Sequence, residues 1–296
     1  MSVLLFFLKK YNDIIQQDQV DILVAKNIDI INYEITYQKK HALSLAILFS
    51  KNHNIMQALK ESDRVKMKKE VASLLSNIKT YTDMKNIQVQ VHTKNLEVFF
   101  RSWEEKDIGM SLKEFRKGLV KVQKTQEPFV SNELGKRLNI KAIAPIFDEK
   151  EHYIGSLEII ISYSDLQKKL HSFGMEILPL LDEKYLHVAK YHASNIKLHN
   201  YVIITNQYDQ KLFDLLKENV TLLDKAKHYS IYNDTIITMI PINDMNGSAI
   251  GYIVASFKNS SRYFSYLPQY QYDGYIISNH ENLSIANKEK TEIIIK

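Results

Sequence analysis

The sequence predicts an α+β chain in which a long N-terminal helix precedes two tandem modules with antiparallel sheets. Three observations point there. Gly109 is the first glycine and Pro128 the first proline, so nothing breaks a helix over the opening hundred residues. Beyond them the hydrophobic period falls from that of a helix to two. Finally, "IAPIFDEKEHYIG" (143–155) returns as "MIPINDMNGSAIG" (239–251). Pro145 answers to Pro241, Ile146 to Ile242, Asp148 to Asp244, Ile154 to Ile250 and Gly155 to Gly251, all at an offset of 96. A repeat at the length of a small domain marks one module used twice.

The elements follow in order. Residues 11–49 read as one helix, with Ile14, Ile15, Ile22, Leu23, Ile30 and Ile31 recurring along it. At roughly 1.5 Å per residue it makes a rod of about 60 Å. The preceding "VLLFFL", Val3 to Leu8, is either the end of a transmembrane helix or a buried helix start. Alone it is too short to span a bilayer, which takes about 20 residues. Asn52 to Asn54 interrupt the rod, and "IMQALKESDRVKMKKEVASLLSNI" continues as a second helical stretch.

Then "IQVQVHT" alternates, with Ile87, Val89 and Val91 on one face and Gln88, Gln90 and His92 on the other, and "LEVFFRS" completes a hairpin. "SLKEFRKGLVKVQKTQ" reads as a short helix. "PFVSNELGKRLNIKAIAPIF" and "YIGSLEIIIS" form the next antiparallel strands around the turn "DEKEH". The second module repeats this order, with "QKLFDLLKENVTLLDKA" as its helix and "NDMNG" as its closing turn. The domains expected are a helical stalk over 1–60, a first module over 61–166, a second over 167–260, and a tail over 261–296.

Composition narrows the function. The chain has 296 residues, 45% hydrophobic and 25% charged, with a net charge of +5, an ordinary globular balance. Lysines are spread among acids, so no stripe for nucleic acid stands out. With no cysteine there is no disulfide and no thiolate metal site. His187 and His192 lack a carboxylate at metal spacing. Glycine-rich phosphate loops, H-E-x-x-H and G-x-S-x-G are absent from the sequence. The adjacent Glu104 and Glu105 read as a solvated turn.

Arginine use is the sharpest signal. The chain has 34 lysines and 5 arginines, and Arg101, Arg116 and Arg137 fall within 37 residues. Arginine's planar fork binds carboxylates and other oxyanions bidentately, which lysine cannot do. Strand alternation puts Phe99, Arg101 and Trp103 on one face, as it does Arg137, Asn139 and Lys141, and Ser156 and Glu158. Val98, Phe100, Leu138, Ile140, Leu157 and Ile159 take the opposite, apolar face. The repeat acts as a control: a shift of 96 turns Arg137 into Asn233, Lys141 into Ile237 and Glu158 into Val254. Charges that served only the frame would recur. The competing reading is that the charged face is solvated, or that Glu133 and Glu158 pair with the arginines.

The rod ending in "HALSLAILFSKNHNIMQALKESD", the stretch "VQVHTKNLEVFFRSWEEKDIGMSLKEFRKG" and the stretch "EPFVSNELGKRLNIKAIAPIFDEKEHYIGSLEI" together resemble the double Cache (dCache) sensor domains. These are tandem PAS-like modules of bacterial chemoreceptors, sensor kinases and diguanylate cyclases. The resemblance covers about Asn12 to Phe257 and is stronger over the first module. It implies two PAS-like (Cache) modules, the first membrane-distal and ligand-binding, the second membrane-proximal. It also implies an excised extracytoplasmic region of a membrane-anchored protein, paired as a homodimer through the long helix, with no catalysis of its own.

A PAS-like sheet packs one face on the helix and cups a ligand on the other. His92, Phe99, Arg101, Trp103, Arg116, Glu133, Arg137, Lys141 and Glu158 are therefore the expected ligand-binding residues. No cofactor, metal or nucleic acid is expected. Four cations against two glutamates favour an anionic ligand, most simply a carboxylate, with room for a zwitterion. On this reading Arg137→Ala weakens binding by about a hundredfold or more. The rival reading is a protein-interaction module that meets a ligand-loaded partner protein.

Overall fold

The computed structural model describes residues 3–82 and 84–260. The tail after Ser260 lies outside them. Helix α1 runs unbroken over Val3–Ser50. It buries Val20, Leu23, Val24, Ile31, Ala42, Ala46 and Phe49. Its C-terminal half packs on the first sheet, and further back it touches the second. Near its start, the Tyr229 hydroxyl of the second module donates to Asp21 at 2.6 Å. One rod therefore backs both modules, as the missing glycine and proline imply. Within "VLLFFL", Phe6 and Phe7 are exposed. Among the described residues no helix is long and apolar enough to cross a membrane.

The second helical stretch is two helices. Helix α2, His53–Lys60, is capped by Asn52, whose side chain accepts from the Ile55 amide at 3.1 Å. Helix α3, Arg64–Tyr81, is capped by Asp63, which accepts from the Lys66 amide at 2.9 Å. The chain turns between them, with Ser62 at φ +57°. Asp63 is an N-cap residue in a conspicuous place, and it ends the continuous reading.

The first sheet contains β1 (Gln88–Thr93), β2 (Val98–Arg101), β3 (Phe129–Leu134), β4 (Leu138–Phe147) and β5 (Tyr153–Ile161), in spatial order β2-β1-β5-β4-β3. Helix α4, Lys117–Thr125, crosses its outer face. It starts later than the sequence suggested, because Ser111 pairs with Glu97 at the sheet edge. Helix α5, Tyr163–Ser172, leads into the second sheet. That sheet holds β6 (Met175–Asp182), β7 (Lys197–Leu198), β8 (Tyr201–Ile203), β9 (Ser230–Tyr232), β10 (Thr235–Asn243) and β11 (Ala249–Lys258), ordered β7-β8-β6-β11-β10-β9. Helix α6, Gln210–Glu218, covers its outer face.

Both sheets are antiparallel throughout. Their inner faces join α1 in one continuous apolar core. On the outer faces, α4 packs over Val98, Leu112 and Ile143, and α6 over Leu178, Ile237 and Val254.

Candidate functional site

The β1–β5 register sets Gln90 opposite Glu158 and His92 opposite Ser156. Gln90 also faces Arg101 on β2. Side chains from these strands point outward beneath the loop that joins β2 to α4. Together they floor a cavity of about 120 Å³ lined by Arg101, Trp103, Arg116, Arg137 and Lys141, with Gln88, Gln90, Glu104 and Met110.

Two buried charge networks lie under it. Arg116, at the N-cap of α4, reaches Glu158 through both terminal nitrogens and Glu133 at 3.3 Å. Burial opposes its charge, but the two carboxylates outweigh that and raise its pKa. Glu133 also accepts from the Gly118 amide at 2.8 Å. In the second network Arg101 donates to Gln90 Oε1 at 3.1 Å, and to Glu104 and Asp107 at 2.8 Å each. Lys136 bonds the same Asp107.

His92 is fully buried. Since arginine only donates, Gln90 must turn its carbonyl to Arg101 and its amide NH₂ to His92 Nε2, 2.8 Å away. His92 therefore carries its proton on Nδ1 and donates to Ser156 Oγ at 3.1 Å. Burial, then Arg116 and Arg101, hold its pKa well below the usual imidazole range. The neutral ring, 3.8 Å from Glu158, is a hydrogen-bonding spacer and not an ion-pair partner.

Lys141 differs from its neighbours. It is 4% exposed, yet makes no hydrogen bond or ion pair among the described residues. Burial and then Arg116 lower its pKa to about 8. A Cβ at Gly135, in the β3–β4 turn, would lie 2.6 Å from its Nζ. Arg116 Nε is a second buried donor with no partner.

The expected site residues thus divide. Arg101, Trp103, Arg116, Arg137 and Lys141 line the cavity; His92, Glu133 and Glu158 support it from beneath. Phe99 does neither. A bulge between Val91 and His92 shifts the pairing, so Val98 faces His92 and Phe99 turns into the core against α3, 5.4 Å from the Arg64 guanidinium. The same bulge brings Val98 out beside Ile143. Arg137 sits in the β3–β4 turn rather than on a strand and is exposed.

The glutamates pair with Arg116, as the competing reading held, but on a buried face. Glu104, read as solvated, and Asp107 hold Arg101 instead; Glu105 is the exposed one, paired with Lys68. With these included, five cations (Arg101, Arg116, Lys136, Arg137, Lys141) meet four carboxylates (Glu104, Asp107, Glu133, Glu158). One positive charge is left over. Sequence reasoning also missed Tyr191, which comes from the second module and lines the mouth. Buried His192 accepts from the Leu138 amide at 3.2 Å.

A helix-backed pair of sheets with a charged cavity on one of them defines a double sensory module. The family model described as the double sensory domain of two-component sensor kinase (dCache_3) matches residues 27–256, and the chain belongs to that family. Its domains are non-catalytic, extracytoplasmic sensor regions of membrane proteins. No curated protein matches the chain.

Among solved structures, the sensor domain of the V. cholerae histidine kinase DctB is 11% identical, with TM-score 0.47, covering 84% of this chain and 98% of that one. A domain of a sensory box/GGDEF family protein from Vibrio parahaemolyticus is 11% identical, with TM-score 0.48 and coverages of 83% and 98%. The ligand-binding domain of the Campylobacter jejuni chemoreceptor Tlp3, in complex with 4-methylisoleucine, is 14% identical, with TM-score 0.42 and coverages of 84% and 92%.

Proposed function

We propose that this chain is the extracytoplasmic sensory region of a membrane-anchored receptor, and that its first module binds a small molecule through an anionic group, most simply a carboxylate. The observation that carries this reading is the Lys141 ammonium, buried at the cavity with no acceptor of its own. Burying an unpaired charge is costly, and an incoming anion would offset that cost. The partnerless Arg116 Nε adds a second donor. Glu133 and Glu158 are taken up by Arg116, so a zwitterion's ammonium would face Glu104 instead.

Size limits the choice. A cavity of about 150 Å³ holds benzene, so about 120 Å³ suits a molecule of about six heavy atoms or fewer. Occupancy would draw the sheet and the β3–β4 turn toward the anion and shift them against α1, which carries the signal toward the membrane. The exposed Ile14, Ile22, Tyr33 and Tyr37 on α1 would pair the helix with a second copy.

Thermal unfolding with acetate, propionate, lactate, glycine and alanine tests the ligand reading. A binder at a hundred times its Kd adds about 2.7 kcal/mol, and Lys141→Ile should remove the effect. A stabilisation that survives Lys141→Ile, or none from any small anion, would count against it.

A further inference from the structure

A second and larger hollow, about 450 Å³, lies between the modules. The end of α3 and the first sheet form one wall, and the 183–200 connection of the second module forms the other. Gln88, Trp103, Arg137, Asn139, Ile160 and Tyr191 line both this cleft and the ligand cavity, so they surround the neck between the two. Among the described residues, the cleft's lining includes Lys79, Lys85 and Arg137 and no aspartate or glutamate. A one-signed concave surface concentrates counter-charged solutes.

Tyr191 is the only one of these six neck residues that the second module supplies. Its backbone is pinned: its amide donates to the Lys136 carbonyl at 3.0 Å, and the next residue, His192, accepts from the Leu138 amide. Its ring is freer. It lies beside Lys136 (5.1 Å) and Arg137 (5.5 Å), with its hydroxyl 3.3 Å from Lys136 Nζ. Lys136 in turn holds Asp107, and Asp107 holds Arg101. The ring is thus wired to the cavity floor by one chain of charges.

We propose that the inter-module cleft is the route by which the anion reaches the cavity, and that the Tyr191 ring is the gate across it. The second module then senses occupancy directly, through a residue of its own, in addition to any shift of α1. The proposal rests on the first-module cavity being the ligand site.

The absence of cysteine makes a clean test possible. In the full 296-residue chain, Lys141→Cys places a single thiol on the cavity floor, and Met110→Cys is a second reporter on the same lining. The probes are an anionic and a cationic methanethiosulfonate, whose reaction rates follow thiol access and local charge. Tyr191→Ala should raise the rate about tenfold, Tyr191→Phe should leave it within about twofold, and Asn206→Trp at the cleft lip should slow it. The anionic reagent should outpace the cationic one.

Rates indifferent to both Tyr191→Ala and Asn206→Trp would overturn the gate. Because the probes are not ligands, the two readings fail separately. Gated rates without any stabilising anion would leave the gate standing and sink the ligand. A Lys141-dependent anion with ungated rates would do the reverse.

Discussion

At the strand position where the first module holds Glu158, the second holds Val254, and the exchange repeats around the cup. Lys141 corresponds to Ile237. Gln90, opposite Glu158, corresponds to Leu178, opposite Val254; His92, opposite Ser156, corresponds to Leu180, opposite Tyr252. The frame does not change. Pro145 pairs with Ser156 as Pro241 does with Tyr252, and both hairpins bulge one residue further on, after Ile146 and after Ile242. In the second module the outer face is packed with Leu178, Leu180, Ile237 and Val254 beneath Phe213 and its neighbours on α6. The fold therefore needs no charge at these places. The charges of the first module carry a desolvation cost that the second module avoids, and the proposed recognition role would account for it. Each prediction exchanges a residue between the modules or strikes both at once.

The largest effect should come from Glu158→Val, which installs the second module's residue. It strips Arg116 of its principal partner while the guanidinium stays buried. Breaking a buried pair from one side costs about 3–5 kcal/mol. Adding Arg116→Met and Glu133→Gln, the glutamine still accepting from Gly118, should recover to within about 1 kcal/mol of the parent or exceed it. Urea midpoints measure both, because α1 and the two sheets share one core. If the triple variant stays as weak as the single one, the charges belong to the frame and the comparison fails.

Lys141→Ile should do the opposite. The unfolded lysine titrates near 10.4, and the folded one at about 8. Between those values the unfolded chain holds the extra proton, so parental stability should rise with pH through this window and level off above it. Below pH 8 the full cost is present, about 3 kcal/mol at most. The isoleucine variant should be more stable than the parent at pH 7 by up to that amount, flat above pH 8, and unable to bind the anion. A variant that is less stable at pH 7 would mean that Lys141 is satisfied by contacts within the fold.

Next come the two glycines that the modules share. A Cβ on Gly155 would sit 2.2 Å from the His92 carbonyl oxygen, and one on Gly251 2.1 Å from that of Leu180. Gly155→Ala and Gly251→Ala should each cost about 1–3 kcal/mol as the strands are forced apart. Equal costs would confirm a common frame; a free substitution in either module would show that the two hairpins pack differently.

These contrasts also mark what the sequence could show. The long helix was legible because nothing in it breaks a helix, and the repeat because a proline, a glycine and a turn keep their spacing. The charged face was legible by alternation until a bulge intervened. The bulge between Val91 and His92 leaves no residue signature, yet it sends Phe99 into the core and Val98 out of it. Asp63 did carry a capping signal, which the strong helical pattern on both sides obscured. Glu104 and Asp107 lie in a loop and Tyr191 in the single 3-10 turn Lys190–His192, where no periodicity says what a side chain meets. Tyr191 in addition reaches the first module from the far side of α5, a contact that only the tertiary structure creates.

The smallest effect should come from Arg137, although the sequence places it at the centre of the site. Its counterpart, Asn233, occupies the matching turn in the second module with φ +54°, so the comparison is between two turn residues and not two strand residues. Arg137 is exposed and packs only loosely beside Tyr191. A solvated charge contributes at most about 1 kcal/mol. Arg137→Asn should therefore weaken binding of the anion found by thermal unfolding by no more than about fivefold. As a charge at the mouth it should act on arrival, so the loss should appear in the association rate and shrink as salt is added. Stopped-flow binding at low and high ionic strength separates the two cases. A loss of a hundredfold, unmoved by salt, would place Arg137 on the bound molecule itself and require the β3–β4 turn to fold inward over it.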